Sequence, residues 1–462
     1  MTRYAELLAW IYSFTNTERT GQFVRDREDN LRRERTLLAA LGNPQRSYGV
    51  THVAGTKGKG STSAMIAAIL RAAGVRTGLY SQPDLHTFRE RMRVNGEVAP
   101  EDALVALEPA LREAIARMPE QLRPLIMYEV ATALAFLYFR AAHVQHAVIE
   151  VGLGGRLDAT NVVEPLVTAI TSISYDHMHV LGNTLSAIAG EKAGIIKESI
   201  PVVCSAQAPE ALEKITQVAA ERHAPLIRVG PDGCDGCAYT FAAGDATPDR
   251  QWFTLRTPTG LYRDLELALL GEHQVENAAA AVAVAETLRA SLPQVDESAI
   301  RAGLRAVRWE ARLQVVAREP WVVVDGAHNA DSFARMFTAL RRHFPFERLI
   351  LVLGVMADKD LDGIVREIGQ ARVNDVIATA VDYPRAAPPE TLAGLMRTHA
   401  PDTHVAPVAT SGEALERAVQ DAGPHDLICI AGSLYLAGEA LRWLARQPWV
   451  IPGSIEIAGV DH

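Results

Sequence analysis

The chain has little cysteine, no excess of positive charge and no long uninterrupted apolar run, and each shortage removes a class of protein. Its four cysteines, Cys204, Cys234, Cys237 and Cys429, are too few and too scattered for a disulfide framework. Cys234 and Cys237 form a lone CxxC with no second pair. It reads as a coincidence of loop composition rather than a zinc or redox site. The net charge of −9 argues against non-specific nucleic-acid binding. No apolar stretch reaches bilayer-spanning length, and Met1-Thr2-Arg3-Tyr4-Ala5-Glu6 is not the start of a signal peptide. The expectation is a soluble cytoplasmic protein that engages neither membrane nor nucleic acid. What is left is ordinary globular composition, 48% hydrophobic and 22% charged, in 462 residues, enough for two or three domains.

Strand-like runs alternate with helical ones, which predicts an α/β protein with a mostly parallel sheet covered on both faces. Strands are expected at 49–54, 146–151, 167–173 and 201–205, and helices at 101–118, 129–142 and 210–222. Residues 231–260 are rich in Gly, Pro, Asp and Thr and read as loops with short antiparallel strands. An alanine-rich helix is expected at 277–289. A second alternating block starts at Trp321, with strands at 321–325, 349–354, 375–380 and 426–431 and helices at 332–343 and 361–370. The division falls near residues 304–312. It gives an N-terminal P-loop-type domain, 1–307, and a smaller Rossmann-like C-terminal domain, 308–462. Two such units meeting at a cleft place ligands between them.

The strongest local signal is Gly55-Thr56-Lys57-Gly58-Lys59-Gly60-Ser61, between a strand-like run and a helical one. Strand, glycine loop, helix is the context of a phosphate cradle. Glycines let backbone N–H groups approach phosphate oxygens, and the helix N-terminus and lysines supply positive potential. The match to the common phosphate-loop pattern is imperfect: Gly60 follows Lys59 where Ser or Thr is usual, and the early glycine is missing. Glu150, at a strand end before a glycine run, sits where α/β sheets bind ligands and suits Mg²⁺, which takes one or two protein carboxylates. Asp176-His177 again follows a strand, but alone reads as surface. By composition, 190–197 is only a charged helix end.

Order and spacing give these segments more weight. The strings HVAGTKGKGST (52–62), SQPDLHTFRERMRVNG (81–96), EVGLGGRLDATN (150–161), DH (176–177) and GEKAGIIK (190–197) come first. GEHQVENA (271–278), WEARLQ (309–314), DGAHN (325–329), GVMADKD (354–360) and GSLYLAGE (432–439) follow. In this order the chain resembles the dihydrofolate synthase/folylpolyglutamate synthase family of the Mur ligase superfamily, over nearly its whole length.

The resemblance implies an ATP-dependent ligase that adds L-glutamate to dihydropteroate, to reduced folates, or to both, through an acyl phosphate. It implies that Gly55, Thr56, Lys57, Gly58, Lys59, Gly60 and Ser61 hold the ATP phosphates, with Asn277, Arg312, Asp325 and His328 also on the nucleotide. Ser81, Glu150 and His177 fall on Mg²⁺ positions, and Lys192 on a lysine that is carbamylated. Lys59, Lys192 and His177 carry the chemistry. Glu129, Leu157, Asp158 and Ala159 fall near pterin-binding positions, as does the loop at 19–24. A monomer is implied. Gln82-Pro83-Asp84 departs from the family's Ser-Pro-His, which leaves that loop's substrate contacts open, and Glu310-Ala311 replaces Pro-Gly before Arg312. Alternatives are a synthase acting on folates alone, a Mur-type ligase with another acceptor, and a nucleotide-binding switch without ligation. By residue type alone, Asp325 reads as a helix cap and Arg312 as part of an interdomain ion pair.

Overall fold

The computed structural model describes residues 2–16, 28–205, 208–457 and 459, so the loop at 19–24 lies outside the described residues. The strands of the N-terminal part are β1 (Gly49–Ala54), β2 (Thr77–Tyr80), β3 (Met92–Val94), β4 (Glu97–Val98), β5 (His146–Glu150) and β6 (Val167–Ile170). They continue as β7 (Val202–Cys204), β8 (Leu226–Pro231), β9 (Tyr239–Ala246), β10 (Gln251–Thr257) and β11 (Gly260–Leu267). They form one 11-stranded sheet in the order β11-β10-β9-β8-β7-β6-β1-β5-β2-β3-β4. From β9 back to β2 the pairing is parallel, and both margins turn antiparallel.

The central strands are buried along nearly their whole length, as expected of parallel strands covered on both faces. On β5, Val148 faces a layer built from helices Lys59–Ala72 and Glu272–Leu288, while Ala147 and Ile149 face helix Met127–Ala141. That alternation is the two-residue period of a strand.

The second sheet has six strands: β12 (Gln314–Arg318), β13 (Trp321–Val324), β14 (Leu349–Leu353), β15 (Asp375–Thr379), β16 (His404–Val408) and β17 (Leu427–Ala431). Their order is β12-β13-β17-β14-β15-β16. All pairs are parallel except β12 with β13.

Three expectations change. The segment read as loops with short strands carries two of the longest strands, β9 and β10, and extends the main sheet. The alanine-rich helix starts at Glu272, not at 277, because Gly271 takes φ +103° as its N-cap and the polar first turns are buried rather than solvated. Cys234 and Cys237, expected to be a loop coincidence, are bonded to each other in the turn between β8 and β9. No helix among the described residues is long and apolar enough to cross a membrane.

Candidate active site

The C-terminal ends of β1, β2, β5 and β6 open onto the same side as the end of β13. Between them lies a cavity of about 720 Å³ lined from both sheets. One end is built on residues 56–61. Gly58, at φ +87°, caps the helix that begins at Lys59, and a Cβ there would lie 2.2 Å from Asn277 Oδ1. The loop is tied to the chain following β6: the N–H groups of Thr56 and Lys57 donate to Ser172 O at 2.9 and 3.2 Å, and Thr171 Oγ1 donates to Lys57 O at 2.7 Å. The first-turn N–H groups of a helix have no intrahelical partners, and with the dipole they form an anion seat.

Charges crowd this end. Lys57 Nζ lies 3.3 Å from Asp176 Oδ2 and 3.4 Å from His328 Nε2, and burial lowers its pKa against the pull of Asp176. Burial opposes ionisation of Asp176, yet Lys57, His177, Lys359 and His328 together hold its carboxyl well below the usual range. Lys192, read from composition as a charged helix end, is buried, and its Nζ donates to Gly55 O at 2.8 Å. Burial first, then Lys59, bring that amine down to about 7. Glu150 is buried and its Oε2 has no hydrogen-bond partner. Burial pushes its carboxyl up to about 7 against the pull of Lys59 and a backbone hydrogen bond from Gln82. His177 has φ 48°, its N–H donates to Asp176 Oδ1 at 3.0 Å, and burial lowers its imidazole to about 4.

Of the residues assigned to Mg²⁺, Glu150 and His177 line the cavity. Ser81 does not: it is buried one residue beyond the Tyr80–Ile149 pair, alongside Glu150 in register. No group of three or more His, Cys, Asp or Glu is gathered as a metal site among the described residues. An orphaned carboxylate oxygen beside the glycine loop nonetheless fits a hard cation that takes one protein carboxylate and completes its shell with phosphate and water. Gly55 also stays behind the wall, where its carbonyl holds Lys192.

Asn277, Arg312, Asp325 and His328 all line the cavity. Asp325 caps no helix. Asn329 caps helix Ala330–His343, and Asp325 instead accepts from the N–H groups of Leu313 and Ala327, both at 2.8 Å. Arg312 Nη1 donates to the Ala311 carbonyl at 2.8 Å.

The far end carries Tyr128, Glu129, Leu157, Asp158 and Ala159. Glu129 pairs with Arg33 at 2.9 Å and accepts from Ile126 N at 2.8 Å. Asp158 accepts from Tyr128 Oη at 3.1 Å, Thr160 N at 3.0 Å, Thr160 Oγ1 at 2.5 Å and Leu153 N at 2.9 Å. Glu276, Arg335, Lys359, Arg385 and Tyr435 also line the cavity and were not singled out as site residues. Three of them lie inside recognised strings, Glu276 in 271–278, Lys359 in 354–360 and Tyr435 in 432–439. Arg335 and Arg385 carry no local signal.

Two family profiles match the chain: the Mur ligase middle domain over residues 126–285 and the Mur ligase, glutamate ligase domain over residues 311–434. The dihydrofolate synthase/folylpolyglutamate synthase of Bacillus subtilis is 34% identical over 446 residues, 96% of this chain and 99% of the relative. A folylpolyglutamate synthase of Lacticaseibacillus casei is 36% identical over 445 residues, 96% of this chain and 98% of the relative. Among solved structures, Mycobacterium tuberculosis folylpolyglutamate synthase complexed with ADP superimposes with a TM-score of 0.86 at 32% identity, covering 96% of this chain and 99% of that one. The chain belongs to the dihydrofolate synthase/folylpolyglutamate synthase family of Mur ligases.

Proposed function

We propose that this protein is an ATP-dependent ligase that joins L-glutamate to dihydropteroate, to reduced folates, or to both. The observation that carries the reading is one cavity with two unlike ends. One is a helix-N-terminal glycine loop with Lys59 and Glu150, backed by buried Lys192, and the other is a wall of Tyr128, Leu157, Asp158 and Ala159. Residues 1–307 and 308–462 are taken as the two domains, and the enzyme as a cytoplasmic monomer.

A carboxylate is a poor electrophile, so the acceptor has to be activated. Its oxygen attacks the ATP γ-phosphorus, the bond from that phosphorus to the β–γ bridging oxygen breaks, and ADP leaves. The neutral amine of glutamate then attacks the acyl carbon of the acyl phosphate. The carbon–oxygen bond to phosphate breaks, inorganic phosphate departs, and the amine proton passes to phosphate or solvent. Phosphoryl transfer needs positioning and charge neutralisation more than covalent help. Residues 56–61 seat the phosphates with Lys59 on the transferring group. Asn277, Arg312, Asp325 and His328 fix the nucleotide across the seam between the sheets. Glu150 and His177, with Ser81 beside them, would hold Mg²⁺, which would supply charge neutralisation. A cavity closed from both sheets protects the acyl phosphate from water.

Carbamylation of Lys192 is part of this proposal. Carbon dioxide adds only to a neutral amine and releases a proton, and a buried lysine brought to about 7 supplies that amine.

The test is ADP release with ATP, Mg²⁺ and glutamate, run in parallel with dihydropteroate and with tetrahydrofolate. Turnover with both makes the enzyme bifunctional, and turnover with tetrahydrofolate alone makes it a chain-extending synthase. ADP release that ignores both glutamate and acceptor contradicts the reading.

A further inference from the structure

Gln82, from the segment that departs from the family pattern, lies where the two ends of the cavity join. Its Nε2 donates to Tyr128 Oη at 3.1 Å, and Tyr128 Oη donates to Asp158 Oδ1 at 3.1 Å. Its backbone N–H favours the ionised form of Glu150, which stands beside Ser81 in register. One residue therefore follows directly on the strand position beside the carboxylate of the phosphate end and, through a tyrosine, reaches the carboxylate of the acceptor end. The arrangement depends on a bare backbone opposite: a Cβ on Gly152 would lie 2.4 Å from Gln82 Nε2 and 2.7 Å from Tyr128 Oη. Gln82 and Pro83 line the cavity, whereas Asp84 does not and pairs instead with buried Arg91 at 2.5 Å.

The chemistry of the junction asks for an uncharged donor. The acceptor has to bring its own carboxylate to a polyphosphate, between Glu150 and Asp158. A further negative charge there is repulsive, and a lysine would compete with the phosphates. A primary amide donates without net charge and keeps a carbonyl acceptor on the same rigid plane. Tyr128 orients that plane and is itself held: its ring stacks on Tyr80 at 6.4 Å and its hydroxyl is committed to Asp158.

We propose that Gln82 is a specificity-determining residue for the acceptor, its carboxamide, oriented by Tyr128, hydrogen-bonding the acceptor beside its reacting carboxylate. The proposal rests on the ligase reading above. Gln82 discriminates in favour of acceptors whose carboxylate reaches the phosphate end while the flat remainder lies along the wall of Leu157 to Ala159.

The experiment measures KM separately for acceptor and for ATP in the parent and in Gln82→Ala, Gln82→Glu, Tyr128→Phe and Gln82→Ala/Tyr128→Phe. ADP affinity by calorimetry without acceptor certifies that each variant folds. Gln82→Ala is expected to raise acceptor KM about tenfold and ATP KM by less than about twofold. Gln82→Glu, equal in shape but anionic, raises acceptor KM further than Gln82→Ala. Tyr128→Phe raises it less, and the double variant is no worse than Gln82→Ala because the two residues act as one unit. Acceptor KM unchanged in Gln82→Ala, a Gln82→Glu variant that binds acceptor as well as Gln82→Ala, or parallel rises in both KM values overturns the proposal alone. A parent that releases no ADP with any pteroate-type acceptor overturns the ligase reading, and this inference with it.

Discussion

At the phosphate end of the cavity, Glu150 leaves Oε2 without a partner and Lys57 is shared between an aspartate and a histidine. At the acceptor end, Asp158 is saturated by Tyr128, Thr160 and Leu153, and Glu129 by Arg33 and Ile126. Of these cavity-lining carboxylates, Glu129 and Asp158 are provided for and Glu150 is not. Leaving a buried polar atom unmade costs about 1–3 kcal/mol. Such a cost persists where a ligand offsets it, so the phosphate end is built to be completed by ions. At the acceptor end the lining carboxylates Glu129 and Asp158 are held in place by their own partners and act as a rigid template.

The largest effect that sharpens this comparison is expected at Lys59. Replacing it with alanine removes charge from the transferring phosphate and should lower kcat by about a thousandfold or more, read by ADP release. Next comes the pair Glu150→Gln and Asp158→Asn, which should move activity and stability in opposite senses. Glu150→Gln should lower kcat by about a hundredfold while raising Tm, because it removes an unpaired buried charge. Asp158→Asn sets an amide NH₂ against existing donors and should cost about 2 kcal/mol of stability in urea melts. If Glu150→Gln lowers Tm as much as Asp158→Asn does, the distinction between the two ends fails.

Lys192 gives a pH test. Its amine is brought down to about 7, so it is mostly protonated below that value and mostly neutral above. At fixed carbon dioxide, carbamate occupancy read by carbon-13 NMR should rise as pH passes upward through about 7, and Lys192→Arg should abolish it. The smallest effect is expected at the Cys234–Cys237 bond, which does not line the cavity. The double serine variant should keep kcat within about twofold of the parent, in line with surface substitutions away from functional features.

How far the site was legible differs residue by residue. The glycine loop announced itself because phosphate binding demands glycines and lysines at a strand–helix junction. Lys192 gave no local signal, since a lysine near a helix end looks the same whether solvated or buried, and only the order of the surrounding strings singled it out. The Ser81 assignment carried a position in a pattern; the chain places that residue buried beside Glu150 in register and off the cavity lining. For the fold, continuous apolar runs made most of the parallel strands readable, but not β2 and β8, whose short Thr77–Tyr80 and Leu226–Pro231 segments carry glycine and few apolar residues in a row. The edge strand β16 holds Pro407 and an exposed histidine, as edges do, and offers no run to read. The first turn of helix Glu272–Leu288 was missed because Gln274 and Glu276 are polar yet buried against the cavity.

The most direct test of the account labels the acceptor carboxylate with oxygen-18 and follows it through one round of ligation. An acyl phosphate transfers one carboxylate oxygen to the departing phosphate, so labelled inorganic phosphate is the predicted result, seen by phosphorus-31 NMR. Unlabelled phosphate alongside ligated product would contradict it.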